Sequence, residues 1–165
     1  MPAAFKATRP GELISADILN PSATSVGGPK YVLVIIDQYT RFIEVYAQKI
    51  IHPTTGDVSL PHFIRVCNNS FGVSIGTLRA DLGPEFVTTN LSTFCKAKGV
   101  RQEFSARATP MQHEQVERAN RSIGERMKAM LLQSDLHNQF WDEATAMFVY
   151  VHNLLPREHL GGKSA

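Results

Sequence analysis

The sequence predicts an α/β domain, a mixed five-stranded sheet flanked by helices. Three observations predict it. Apolar runs with strand periodicity come first, runs with a period near 3.6 follow, and the order reads three strands, helix, strand, helix, strand, helices. At 165 residues, 43% apolar and 19% charged, the chain suits one domain with a buried core over 1–165. The core should occupy about 11–155, with 156–165 starting a linker.

The elements follow in order. "ELISADI" (12–18) sets Ile14, Ala16 and Ile18 against Leu13, Ser15 and Asp17, which is strand alternation. "NPSATSVGGPK" (20–30) is the turn to "YVLVIID" (31–37), a continuous run of buried-strand type. "RFIEVYA" (41–47) is its hairpin partner across "QYT". Leu60, Phe63, Ile64, Cys67 and Phe71 are spaced by threes and fours, predicting a helix that ends at Gly72. "IGTLRAD" (75–81) is a strand; Leu91, Phe94 and Cys95 mark a short helix stopped by Gly99, and "VRQEFS" (100–105) is the last strand. A long helix is expected from about Glu114 to Gln133, and another from about Phe140 to Leu154, halted before Pro156.

Composition excludes several classes. The net charge of +2 gives no overall basic field, so any nucleic-acid surface must be local. Cys67 and Cys95 fall at apolar helix positions and read as buried free thiols, without a zinc cluster. No apolar run reaches membrane-spanning length, and residues 1–11 lack the apolar core of a signal peptide, so no membrane partner and an intracellular setting are expected.

The acids carry the chemistry. "LRADLGPEF" (78–86) places Asp81 at the end of a strand, before a turn through Gly83 and Pro84. If the first and fourth strands are parallel neighbours, about 5 Å apart, Asp17 and Asp81 converge at one end of the sheet. Two carboxylates that close need a cation or a shared proton; the alternative is that each caps its own turn. On the long helix Val116, Ala119, Ile123, Met127 and Met130 form one apolar face. Glu117 borders that face, aligned with Arg121, Gly124 and Lys128. The basic pair suits phosphate contacts; the alternative is an i,i+4 pair of Glu117 with Arg121, worth a few tenths of a kcal/mol.

Between Asp81 and Glu117 lie 35 residues. With "GELISADI", "VIIDQYTRFIEVY", "LRADLGPEF" and "FSARATPMQHEQVERANRSI", the chain resembles the D,D-35-E core of retroviral-type integrases, in the copia-type LTR retrotransposon branch. Thr109, Pro110, Glu117, Arg118, Asn120 and Arg121 match the branch's third-acid motif, and "FWDEATAMFVYVHNLLP" and "LGGKSA" resemble its following helix and linker. The resemblance runs from about Gly11 to the end.

That resemblance implies a ribonuclease-H-like fold and a two-metal DNA strand transferase. Asp17, Asp81 and Glu117 would be both catalytic residues and ligands of two Mg²⁺ or Mn²⁺ ions, hard cations suited to carboxylate oxygens. The reaction would trim the 3′ ends of element DNA and join them to target DNA. Arg121, Lys128, Asn120 and His113 would be the nucleic-acid contacts, and the partners DNA and further copies of the chain, in a nucleus or virus-like particle. The family's zinc-binding amino-terminal module and carboxy-terminal DNA-binding module have no counterpart here, so a catalytic core from a longer polyprotein is expected.

This chain departs from the pattern twice. Leu82, Gly83 and Pro84 stand where the family places Asn and paired glycines, and His113 and Glu114 replace an Asn-Gly in the loop before the third acid. Both changes stiffen the chain. The alternative function is therefore a degenerate, non-catalytic remnant that keeps the fold and nucleic-acid binding. A ribonuclease-H-type hydrolase fits the Thr-Pro and Glu-Arg-x-Asn-Arg text less well. "GGKS" (161–164) lacks the first glycine and the helix of a phosphate loop. His62, His137 and His152 read as surface or packed residues, Trp141 as a core aromatic, and Glu85 as a turn residue or a secondary group near the metals.

Overall fold

Strand β1 (Leu13–Leu19) pairs antiparallel with β2 (Tyr31–Asp37), and β2 antiparallel with β3 (Ile43–Gln48). This is a computed structural model describing residues 7–52, 54–104 and 110–165, with backbone alone for 54, 55 and 110–114. Helix α1 (Thr54–Phe71) crosses to β4 (Thr77–Ala80), and α2 (Thr89–Lys98) to β5 (Arg101–Phe104). Because helical crossovers return the chain in the same direction, β4 pairs parallel with both β1 and β5. The strand order is β3-β2-β1-β4-β5. Helices α3 (Pro110–Gln133) and α4 (Trp141–Leu154) complete the domain.

The mixed five-stranded α/β plan is as the sequence predicts. Strand alternation divides the core into two layers. Ile14, Ala16, Leu33 and Ile35 face Leu60, Phe63 and Ile64 of α1 and Leu91 and Cys95 of α2. Val32, Val34 and Ile36 face Val116, Ala119 and Ile123 of α3. Ile123 is fully buried, so its truncation to Ala should cost about 2–5 kcal/mol. Trp141 sits in this second layer and donates its Nε1–H to the Ala23 carbonyl at 2.8 Å.

Local chemistry sets the boundaries. The Thr88 hydroxyl accepts from Leu91 N–H at 3.1 Å and caps α2, while Gly99, at φ 70°, closes its other end. The Thr88 hydroxyl also donates to Asp57, which ties α2 to the first turn of α1. The long helix begins at Pro110, earlier than the predicted Glu114. Proline suits a first helical position, where its missing N–H has no partner to lose. His113 and Glu114 are therefore helical, and the loop expected there is not what the backbone forms; their side chains, like Thr109, lie outside the described residues. The apolar face of α3 runs Val116, Ala119, Ile123, Met127 and Leu131, with Leu131 taking the buried place expected of Met130. Cys95 is buried and Cys67 half-buried, both as free thiols. Among the described residues no helix is long and apolar enough to cross a membrane.

Candidate active site

The parallel pairing of β1 with β4 matches Leu13 with Thr77, Ile14 with Leu78 and Ser15 with Arg79. Continued two residues further, this register sets Asp17 level with Asp81, on strands about 5 Å apart. Alternation turns Asp17 to the α3 side of the sheet, the side of its β2 partner Val34. There the Asn120 amide donates to Asp17 Oδ2 at 2.7 Å, and the other oxygen accepts from Ile18 N–H at 2.8 Å. Sequence reasoning assigned Asn120 to nucleic acid; in the fold its amide is spent on Asp17. The available signal was its place one turn beyond Glu117, on the same side of the helix.

Asp81 stands just past β4, and its Oδ1 accepts from Gly83 N–H at 2.9 Å. Position 83 is crowded: a Cβ there would lie 2.7 Å from Glu85 Oε1 and 2.9 Å from Asp81 Oδ1, so a larger residue must displace one of these side chains. Glu85 is buried, so a second carboxylate sits beside Asp81. Gly56 of α1 approaches the Glu85 carbonyl so closely that a Cβ would fall 2.0 Å from it, which pins the turn to the helix. Leu82 is exposed, as is Pro84.

Glu117 is exposed on α3, one turn before Asn120, whose contact with Asp17 fixes where that turn lies. Side chains so spaced have Cβ atoms about 5–6 Å apart. Arg121 is exposed on the next turn; Lys128 is exposed about 16 Å along the helix from Glu117. The ion pairs recorded among the described residues, Arg79–Glu103 at 2.9 Å and Arg101–Glu103 at 3.6 Å, include neither Glu117 nor Arg121. The intrahelical pair considered from sequence does not form.

A polar layer lies directly behind the acids on the same face. Arg79 is buried and paired with Glu103 on β5, and Gln38 donates to the Ser15 hydroxyl at 2.6 Å. The sequence shows Arg79 only as part of a strand; its pairing with Glu103 comes from the β4–β5 register.

The donor set suits a hard divalent cation, since every candidate ligand atom is a carboxylate oxygen. Asp17 and Asp81 come together by register. Asn120 Oδ1 is buried beside them without a hydrogen-bond partner, an open polar valence at the same place. Among the described residues no three His, Cys, Asp or Glu side chains close into one metal-sized cluster, so Glu117 completes the set only by reaching inward from its exposed position.

A mixed sheet of this order, with helices on both faces and an aspartate pair at neighbouring parallel strand ends, defines the ribonuclease-H-like fold of the polynucleotidyl transferase superfamily. Residues 7–110 match the family described as Integrase core domain, and the chain belongs to that family. It is 30% identical over 148 residues to the retrovirus-related Pol polyprotein from transposon TNT 1-94 of Nicotiana tabacum, covering 88% of this chain and 11% of that protein. The corresponding polyprotein from transposon RE1 of Arabidopsis thaliana is 28% identical over 152 residues, covering 92% and 10%. The Gag-Pol polyprotein of avian reticuloendotheliosis virus is 29% identical over 130 residues, covering 79% and 11%. The chain thus spans about a tenth of the length of these relatives. In structure it resembles a chain of the simian T-cell lymphotropic virus intasome in complex with PP2A regulatory subunit B56 gamma. The TM-score is 0.77 at 16% identity, covering 98% of this chain and 55% of that one.

Proposed function

We propose that this chain is the catalytic core of a retrotransposon integrase, a metal-dependent polynucleotidyl transferase. It would trim the 3′ ends of element DNA and join them to target DNA. The observation that carries this reading is the parallel β1–β4 register, whose continuation by two residues would set Asp17 opposite Asp81, with α3 fastened to Asp17 through Asn120. Family membership supports it.

Asp17 and Asp81 would hold divalent cations, with Glu117 supplying the third carboxylate. Bound Mg²⁺ or Mn²⁺ supplies activation of an attacking oxygen and stabilisation of a leaving one. The chain's own residues prepare the place. Asn120 and Ile18 N–H each take one Asp17 oxygen and fix the carboxylate plane. Gly83 N–H does the same for one oxygen of Asp81, leaving the other for the site. Arg121 stands beside Glu117 to meet a phosphate, contributing affinity rather than base selection. Lys128 would meet the strand further along. A DNA duplex and further copies of the chain are the proposed partners.

Strand transfer by the purified chain with Mn²⁺, supplied with the family's flanking modules, tests the reading. Joining that disappears in Glu117→Gln and in Asp81→Asn supports it. Duplex binding without nicking or joining under the same conditions refutes the enzyme reading and leaves a nucleic-acid-binding remnant.

A further inference from the structure

A hollow of about 320 Å³ opens between the β2–β3 turn, α3 and the segment after α4. Its polar wall is made by Arg41, Arg118, Arg157, His152, Gln115 and Ser122, and its floor by Ile36, Ile43 and Ala119. On α3, Gln115, Arg118, Ala119 and Ser122 are spaced as one helix face, separated by the buried stripe of Val116 and Ile123 from the face that carries Glu117 and Asn120. Among the described residues, none that lines the hollow is acidic.

Three guanidinium groups in one hollow repel one another, and this fold has accepted further costs to assemble them. Arg41 sits at φ 68°, a left-handed conformation that glycine or asparagine adopts more easily. It is half-buried and has no salt bridge among the described residues. The acid nearest in influence is Asp37, whose oxygens already accept from Gly11 N–H, Thr40 N–H and the Thr40 hydroxyl. Arg157 donates one N–H to the His152 carbonyl at 2.9 Å, yet its Nε is buried with no partner. The Gln115 side-chain oxygen is likewise buried and unpartnered; a half-turn of that amide would present its NH₂ instead. Burial lowers the Arg41 pKa against the opposing pull of Asp37, and the neighbouring charges of Arg118 and Arg157 lower it further.

A left-handed backbone at Arg41, an orphan buried donor at Arg157 Nε and cations converging on one hollow are the features of an anion site. We propose that this hollow binds a phosphate group, and that its source is a backbone phosphodiester of DNA lying across the exposed side of α3. Guanidinium forks match phosphate oxygens in geometry as well as charge. The assignment to DNA rests on the DNA-joining function proposed above; the phosphate site itself rests on the hollow alone.

Arg41→Gly is the decisive variant, because glycine suits φ 68° and keeps the backbone carbonyl that meets His152 at 3.2 Å. Thermal melting in inorganic phosphate, against chloride at matched ionic strength, reads the site. Duplex binding without divalent metal, followed over a salt series, reads its source. The parent chain should melt higher in phosphate. Arg41→Gly and Arg118→Gln should lose that rise while melting normally in chloride, and Lys98→Ala, at the end of α2 and outside the hollow, should keep it. The salt slope for a duplex should fall by about 0.9 for each phosphate that Arg41→Gly no longer neutralises. A phosphate rise that survives in both arginine variants overturns the site. Disappearance of the rise with an unchanged duplex slope overturns DNA as the source in favour of free phosphate. A parent that ignores phosphate but loses a dimer in Arg41→Gly gives the hollow to an acidic side chain of a second copy and overturns the proposal. A parent that responds to phosphate yet binds no duplex refutes the DNA-joining function and DNA as the source, with the phosphate site intact.

Discussion

The Asn120 amide lies 2.7 Å from Asp17 Oδ2 and links helix α3 to strand β1 across 103 positions of sequence. A hydrogen bond to a carboxylate does two things here. It fixes the plane of a candidate metal ligand, and it fixes the helix that carries Glu117.

Asn120→Ala should therefore lower strand-transfer turnover more than it lowers stability. The bond it removes is to a charged group at a half-buried site, worth about 1.5–3 kcal/mol at most. Asn120→Asp should do more harm, because it faces Asp17 with a like charge and pushes that carboxyl pKa up. The measurement is turnover against pH: the acid limb of the Asn120→Asp profile should move to higher pH, and an unmoved limb would show that the contact is merely structural.

Metal should stabilise the fold. Asp17 and Asp81 repel one another without a cation, and binding at ten times the dissociation constant adds roughly 1.4 kcal/mol. Melting in millimolar Mn²⁺ should rise for the parent and stay flat for Asp81→Asn. In metal-free buffer Asp81→Asn should be as stable as the parent or slightly more so, since one like charge has gone.

The turn after Asp81 is sensitive for a steric reason. Gly83→Ala drives a Cβ to within 3 Å of the Glu85 and Asp81 carboxylates together, so one must swing away. The expected result is a modest loss of melting temperature with a larger loss of Mn²⁺ response. Placing Asn at 82 and Gly at 84, as the resemblance implies, tests the other side of the same turn by whether nicking rises.

Acid should weaken the domain partly through His152. Burial, and then the charge of Arg157, holds its imidazole below the ordinary histidine range, against the opposing pull of its bond to the Arg41 carbonyl. The folded state takes up this proton less readily than the unfolded one. Its contribution to stability is thus full above about pH 6.5 and is lost as the pH falls below that. Melting temperature should fall less between pH 7 and 5 in His152→Gln than in the parent. Glu44, raised by burial, acts in the opposite sense, stabilising below 4.5 and losing that contribution as its proton leaves. Comparing parent with variant cancels it.

Both thiols should be inert in the native state. Burial raises Cys67 and Cys95 to about 11, so little thiolate exists at pH 8. Alkylation should proceed only with unfolding, and rapid labelling of native Cys95 would contradict its burial.

How much of this was legible in the sequence differs from residue to residue. Strand alternation around Ile14 and Ala16 and helical spacing around Val116 and Ile123 are local properties, and they fixed the element order and the two core faces. The start of α3 was not legible. The Asn-Gly expectation pointed to a loop at 113–114, but Pro110 can open a helix and no glycine stands between it and Glu117. Met130 and Leu131 exchange roles because adjacent positions on a helix differ by only about 100°, and the packing partners decide.

The sequence by itself determined the family, the acids and their spacing, because these rest on residue identity and on periods of two and 3.6. Only the tertiary structure decided which groups meet. The level placement of Asp17 with Asp81 needs the parallel β1–β4 register, a long-range pairing set by the crossover of α1. The turn of Asn120 toward Asp17, the close approach of Gly56 to the Glu85 carbonyl and the convergence of Arg41, Arg118 and Arg157 each join segments far apart in the chain. A one-dimensional pattern records which face a residue takes; it carries no record of what the opposite face will bring.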